Sequence, residues 1–440
     1  MSDTVRAPAG TIVGRRAGEL RRFLGIPYAE APVGVRRFAA PVPRGRFREP
    51  YDASRHGATS QRVPLFATTT IPEPSVPGED VLNLSVVTPA GAEGRPVLVW
   101  IHGGGFLAGS PASPWYDGRS FARDGVVTVT VGYRLGVDGF APLDGVPANL
   151  GLRDLLSALD WVRENIAAFG GDPDRVTLAG QSAGGAAVLA LLSSPAAAGR
   201  FQRAVSMSGG FFEVGRDTAH GFLERLGDRL AVPPTREGFA GIDVAELQEC
   251  VRDLRGDEVL MLGPVTGDDI LPLGVPEGLA RRGLDVPLLL GATGDEFDGG
   301  TAPEAARAAG TRVTDTLFRA ACPRAARSRR EATAGTWLYS FAWPSPATGG
   351  ATHCVDIPFF FDVLDAPGVR EALGPRPPTE LAALMHADLV GFVHGREPSW
   401  ARASGRPGDP AREYGRPGAE FAADTTGVYD PVVPAEAEAC

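Results

Sequence analysis

The sequence predicts an α/β fold with a mostly parallel central sheet flanked by helices. Three observations carry that expectation. Pro96-Val97-Leu98-Val99-Trp100-Ile101 and Val286-Pro287-Leu288-Leu289-Leu290 are short apolar runs, the pattern of strands covered on both faces. Between them, apolar residues at 155, 156, 159, 162 and 166 mark an amphipathic helix that stops at Gly170-Gly171-Asp172-Pro173. Then Val176-Thr177-Leu178-Ala179 leads through Gly180-Gln181-Ser182-Ala183-Gly184 into an Ala/Leu-rich helix. Strand, sharp turn and helix around Gly-x-Ser-x-Gly would lift Ser182 clear of the sheet, above free helix N–H groups that favour an anion. Taken alone, the pattern also fits a Gly/Ser loop feeding a helix.

The bulk numbers narrow the classes. With 43% hydrophobic and 22% charged residues over 440 positions, the chain has ample material for a core. A net charge of −10 argues against non-specific nucleic-acid binding, which needs a basic surface. All 43 basic residues are arginine. That excludes a Walker A loop, Schiff-base or pyridoxal chemistry and a Ser-Lys hydrolase, all of which need lysine. Cys250, Cys322, Cys354 and Cys440 form no Cys-x-x-Cys pair, so neither a disulfide framework nor a metal site is expected. Met1 to Pro8 lacks the apolar run of a signal peptide, and no segment approaches about 18 uninterrupted apolar residues. The expectation is a cytoplasmic protein without a membrane partner.

Taken in order, Gly10–Gly14 and Leu20–Ile26 read as a small N-terminal antiparallel hairpin, followed by Pro27, Pro32, Pro41 and Pro43 in extended, turning backbone. Residues 59–78 read as a surface loop and Glu79–Val86 as a strand. After Ile101 comes His102-Gly103-Gly104-Gly105-Phe106, a strand end with bare backbone N–H groups. Ester hydrolysis forms a tetrahedral oxyanion that needs such donors, though a lone Gly-Gly-Gly also fits a flexible turn. Val126–Val131 and Phe201–Met207 read as further strands, and residues 213–280 and 298–335 as helical excursions over the site. The run from Val286 ends in Asp295, Glu296 and Asp298, and Trp337–Phe341 is the last evident strand. His353 follows it, giving the order serine, acid, histidine. Residues 380–394 read as a closing helix, and about 398–440, Pro/Gly/Ala-rich, as a weakly ordered tail.

Phe23-Leu24-Gly25-Ile26-Pro27-Tyr28-Ala29, Pro32 to Phe38, His102 to Phe106 and above all Leu159 to Gly185 resemble the type-B carboxylesterase family, which includes bacterial esterases and the cholinesterases. The resemblance implies an α/β-hydrolase fold in a single domain spanning 1–440. It implies hydrolysis of small to medium neutral esters through an acyl-enzyme intermediate, with no cofactor and a small-molecule ester as the partner. Residue by residue it makes Ser182 the nucleophile, His353 the general base and Glu296 the acid, with Asp295 and Asp298 as alternatives. Gly104, Gly105 and Ala183 would supply the oxyanion N–H donors, and His102 would order their loop. Phe106, Phe211 and Phe212 fall at the substrate pocket, although the last two also fit a core. Glu79 would pair with an arginine such as Arg134.

The chain departs from this family at several points. Val81 stands where a cysteine is frequent, Gln181 where glutamate is common, Ala187 where many members carry a second serine, and Phe297 where glycine is usual. Val313-Thr314-Asp315-Thr316-Leu317-Phe318 follows Phe297 without the usual long insertion. The lid is therefore expected to be reduced and the mouth more open. An amidase or carbamate hydrolase on the same residues, and a non-catalytic cholinesterase-like binding protein, are the alternatives. A hormone-sensitive-lipase-like branch is disfavoured by the Phe23–Phe38 opening. Natural substrate and oligomeric state stay open.

Overall fold

The computed structural model describes residues 1–440 except 65–68, 257–259, 300–303, 420 and 433–440. Along the chain the strands are β1 (Ser2–Ala7), β2 (Gly10–Ala17), β3 (Leu20–Pro27), β4 (Tyr51–Asp52), β5 (Asn83–Pro89), β6 (Arg95–Ile101) and β7 (Val127–Val131). They continue as β8 (Gly171–Gln181), β9 (Arg203–Met207), β10 (Leu288–Thr293), β11 (Thr336–Phe341), β12 (Pro410–Tyr414) and β13 (Ala422–Thr426). Among the described residues they form one 13-stranded sheet, in the order β1-β2-β3-β5-β7-β6-β8-β9-β10-β11-β12-β13, with β4 beside β2. From β7 to β12 every pairing is parallel. The N-terminal strands and β13 pair antiparallel with their neighbours, apart from the short parallel β2–β4 contact.

The pleat of β6 accounts for its unbroken apolar run. Val97, Val99 and Ile101 enter the core on one face, while Leu98 and Trp100 enter the core on the other. Each such side chain contributes roughly 1.5–3 kcal/mol on full burial. The first core is covered by the helices Leu150–Asn165 and Ala183–Ser193, the second by Thr379–Val393. From β6 the chain steps to β7 on one side and later to β8 on the other. That reversal leaves a crevice outside the carboxyl ends of β6 and β8, the place where ligands bind in such sheets.

Several boundaries differ from the sequence reading. β1 was not foreseen, because its polar sequence carries little pattern; it is an edge strand with half of its side chains exposed and only Val5 and Ala7 buried. The predicted helix from Leu155 begins at Leu150, after Asn149 in the left-handed region (φ 57°), and its extra first turn is buried. Beyond Trp337–Phe341 the sheet gains β12 and β13, so much of the expected tail is structured up to residue 432; the remainder lies outside the described residues. Arg134 does not pair with Glu79, which is exposed. Its guanidinium meets Asp154 through Nε (2.8 Å) and Nη2 (2.7 Å), and donates from Nη1 to the Ala39 carbonyl at 2.7 Å. Both side chains are buried, and a buried arginine needs a carboxylate within reach.

The excursion before Thr314 is short: the helix Glu304–Val313 runs into a π-helical turn, Thr314–Arg319, and then the helix Ala321–Ser328 follows. Among the described residues no helix is long and apolar enough to cross a membrane.

Candidate active site

The elbow lies at the carboxyl end of β8, packed against the end of β6. Gly180 and Gly184 have no room for a side chain: a Cβ on Gly184 would lie 2.1 Å from the Ile101 carbonyl oxygen, and one on Gly180 2.5 Å from the Gly184 backbone. Without those side chains β8 approaches β6 closely, and the chain turns at Ser182 with φ 56° and ψ −124°. A non-glycine residue in that region is strained, and the surroundings hold it there. The Ser182 N–H donates to the Met207 carbonyl (2.8 Å), and the Ser182 carbonyl accepts from Ala186 N–H (2.8 Å). The serine is 7% exposed.

Opposite it, the loop after β6 folds back on itself. Leu107 and Ala108 N–H donate to the Gly104 carbonyl at 3.0 and 2.9 Å. The Gly104, Gly105 and Ala183 N–H groups donate to no acceptor among the described residues. Gly104 has φ 110°, and a Cβ there would strike the Ala108 carbonyl. His102 is buried under this loop, with Nδ1–H donating to the Gly103 carbonyl (2.8 Å) and its ring stacked 4.7 Å from Tyr133. Burial pulls its pKa down to about 4 against the lesser upward pull of the Gly103 bond, so it stays neutral and acts on loop geometry.

After β10 the three predicted acids separate by role. Glu296 alone reaches His353: Oε2 meets Nδ1 of the ring, and Oε1 accepts from Thr293 N–H at 2.9 Å. Asp295 instead accepts from Ala351 N–H (2.8 Å), pinning the histidine loop, and Asp298 accepts from the Thr311 and Thr314 hydroxyls. The His353 ring is 17% exposed. Burial works against its charged form, but the adjoining Cys354 sulfur and the Glu296 carboxylate outweigh this, and its pKa stands well above the usual histidine value.

Sequence reasoning missed what meets the other ring nitrogen. The Gln181 amide, one residue before Ser182, lies 3.2 Å from His353 Nε2 and 3.1 Å from Cys354 Sγ. The Ser182 hydroxyl itself has no hydrogen-bond partner among the described residues. In the neutral ring the Gln181 amide donates to His353 Nε2, which leaves the ring proton on Nδ1, toward Glu296. Asp356 lies three residues beyond His353. It is fully buried, accepts from Tyr339 Oη–H at 3.2 Å, and is pushed up to about 7 by burial and by the Glu296 charge.

The three expected pocket aromatics lie in different settings. Phe106 is fully buried, its ring 4.6 Å from Phe140, so it anchors the loop after Gly105 and offers no surface to a substrate. Phe212 is buried edge-on against Phe318, 5.4 Å away, and Phe211 lies partly buried under Arg324. Among the described residues no group of three His, Cys, Asp or Glu side chains could hold a metal ion.

Comparison with known proteins places the chain in a family. Residues 1–303 match the model of the carboxylesterase family. The chain is 32% identical over 403 residues to the para-nitrobenzyl esterase of Bacillus subtilis, covering 81% of this chain and 82% of that one. It is 34% identical to the probable N-octanoylanthranilate hydrolase AqdA2 of Rhodococcus erythropolis, covering 96% and 97%. A solved PNB esterase structure superposes with a TM-score of 0.87 at 28% identity, over 98% of this chain and 99% of that one. With that coverage and the parallel sheet described above, the chain belongs to the carboxylesterase family, a carboxylic-ester hydrolase of the type-B branch on the α/β-hydrolase fold.

Proposed function

We propose that the chain hydrolyses small to medium neutral esters through an acyl-enzyme at Ser182, with His353 as general base and Glu296 as its orienting acid. One observation supports this most: the Glu296–His353 pair stands against Gln181, the residue next to Ser182 in a strained elbow. With Nδ1–H turned to Glu296, the Nε2 lone pair is free to take the serine proton as Oγ attacks the ester carbonyl. The carbonyl oxygen becomes an oxyanion held by Gly104, Gly105 and Ala183 N–H; each such donor is worth about 10²–10³ in rate. His353 then gives the proton to the departing alkoxide as the C–O bond breaks. Water repeats the sequence on the acyl-enzyme and regenerates Ser182. The Gln181 amide must leave Nε2 as the serine hydroxyl engages it, an exchange of one neutral donor for another.

A second reading has an observation of its own. The name of the Rhodococcus relative specifies cleavage of an N-acyl compound, and that relative aligns over nearly its whole length. The same residues can attack an amide, with His353 protonating a departing nitrogen. The test is hydrolysis of p-nitrophenyl acetate, butyrate and octanoate, and of N-octanoylanthranilate, by the wild type and Ser182→Ala. Turnover of the esters that disappears in the variant supports the first reading. Activity confined to the anilide supports the second, and equal rates in both enzymes overturn the assignment.

A further inference from the structure

Three rings run outward from His353. Phe318 lies 5.0 Å from the imidazole, edge-on, and 5.4 Å from Phe212. Phe297 lies 4.9 Å from the imidazole with the planes 31° apart, and 5.4 Å from Phe318. The two inner rings are buried, whereas Phe297 is 48% exposed. Among the described residues with large exposed apolar side chains, it is the one aromatic.

Its backbone is fixed. Phe297 N–H donates to Thr314 Oγ1 at 3.0 Å, and the same hydroxyl donates to Asp298 Oδ1 at 3.0 Å. Gly310 packs so tightly that a Cβ there would fall 2.0 Å from the Phe297 carbonyl oxygen. The π-helical turn that carries Thr314 also carries Phe318. An aromatic surface is thus held ready, rather than left on a loose loop, beside the proposed base.

The side of the substrate it faces follows from the proton transfer. The leaving oxygen must come within about 3 Å of His353 Nε2 to be protonated. The group attached to that oxygen is therefore brought to the imidazole, against which the Phe297 ring packs at 4.9 Å. The carbonyl oxygen is directed the other way, to the amides of Gly104, Gly105 and Ala183.

We propose that Phe297 is a specificity-determining residue that stacks on an aromatic group in the alcohol part of the ester. This rests on the assignment of His353 as base. Rings 4.5–7 Å apart, as these are, gain a margin that corresponds to roughly three- to ten-fold in rate ratio.

The test measures kcat/KM for benzyl acetate and ethyl acetate, whose alcohols are similar leaving groups, with the wild type, Phe297→Ala and Phe297→Leu. The benzyl-to-ethyl ratio is expected to fall about three- to ten-fold in Phe297→Ala and less in Phe297→Leu, which keeps most of the bulk and guards against a folding defect. An unchanged ratio in both variants overturns the proposal, including a fall shared equally by the two esters, which would trace the ring's role to His353 alone. A fall in the ratio of methyl benzoate to methyl acetate, with the alcohol ratio unmoved, would also overturn it by placing the contact on the acyl side. Ethyl acetate turnover that survives Ser182→Ala would instead remove the mechanism on which the inference rests.

Discussion

Glu296 and His353 are joined twice. The carboxylate meets ring Nδ1, and the Glu296 carbonyl accepts from His353 N–H at 2.8 Å. The second bond ties the histidine loop to the end of β10 whatever the side chains do. Orientation of the ring and placement of the loop are therefore separable, because the backbone bond does not depend on the side chain at 296.

Glu296→Gln should fold normally and lose about 10⁴ in kcat, because an amide no longer fixes the Nδ1–H tautomer or stabilises the imidazolium. Thermal unfolding beside ester kinetics checks this. A variant that keeps wild-type kcat would remove Glu296 from the proposed chemistry.

The pH profile follows from the direction of the His353 shift. Its pKa is held above the ordinary 6.5, and the neutral ring is the base, so the acid limb of kcat/KM should lie on the alkaline side of that value. Gln181→Glu would set a carboxylate where the amide now stands, 3.2 Å from Nε2, and should move the limb up by about one unit or more. A limb that stays put in this variant would contradict the contact.

Asp356 gives a stability prediction of opposite sign to the usual carboxylate. Its folded pKa, about 7, exceeds the unfolded 3.8, so folding favours the protonated form. The stabilisation is full below about 4, declines as pH rises toward 7, and is absent above it. Asp356→Asn removes this loss, so its melting temperature relative to wild type should improve between pH 4 and pH 8. A difference independent of pH would show that Asp356 does not titrate as described.

The buried Arg134–Asp154 pair should be costly to break. Asp154→Ala leaves the guanidinium with only the Ala39 carbonyl among its partners, an uncompensated buried charge worth about 3–5 kcal/mol. Chemical denaturation checks the magnitude. Glu79→Ala, at an exposed position, should fall within about 0.5 kcal/mol of wild type.

Where residue pattern alone sets structure, the sequence was readable. β6 and β10 are unbroken apolar runs because both faces of the sheet are covered, and the elbow is legible because only glycine fits at 180 and 184. Asp154 was not read as Arg134's partner, because a helix position facing a loop is a tertiary relation with no local signature. β12 and β13 escaped notice because their short, polar sequences gain strand form only by pairing, β12 with β11 and β13 with β12. Gln181 was seen as a missing charge; its reach to His353, 172 residues away, needed the fold. For Phe297 the signal was present, an aromatic where glycine was expected, but the ring stack it forms depends on Phe318 arriving from the π-helical turn.

The central claim is a covalent acyl group on Ser182. The most direct measurement is mass spectrometry of the peptide containing Gly180-Gln181-Ser182, after acid quenching during p-nitrophenyl butyrate turnover. A butyryl adduct on Ser182 in the wild type, absent from Ser182→Ala and accumulating in His353→Ala only slowly, is the expected result. Steady turnover by the wild type with no adduct on Ser182, or an adduct on another residue, would contradict it.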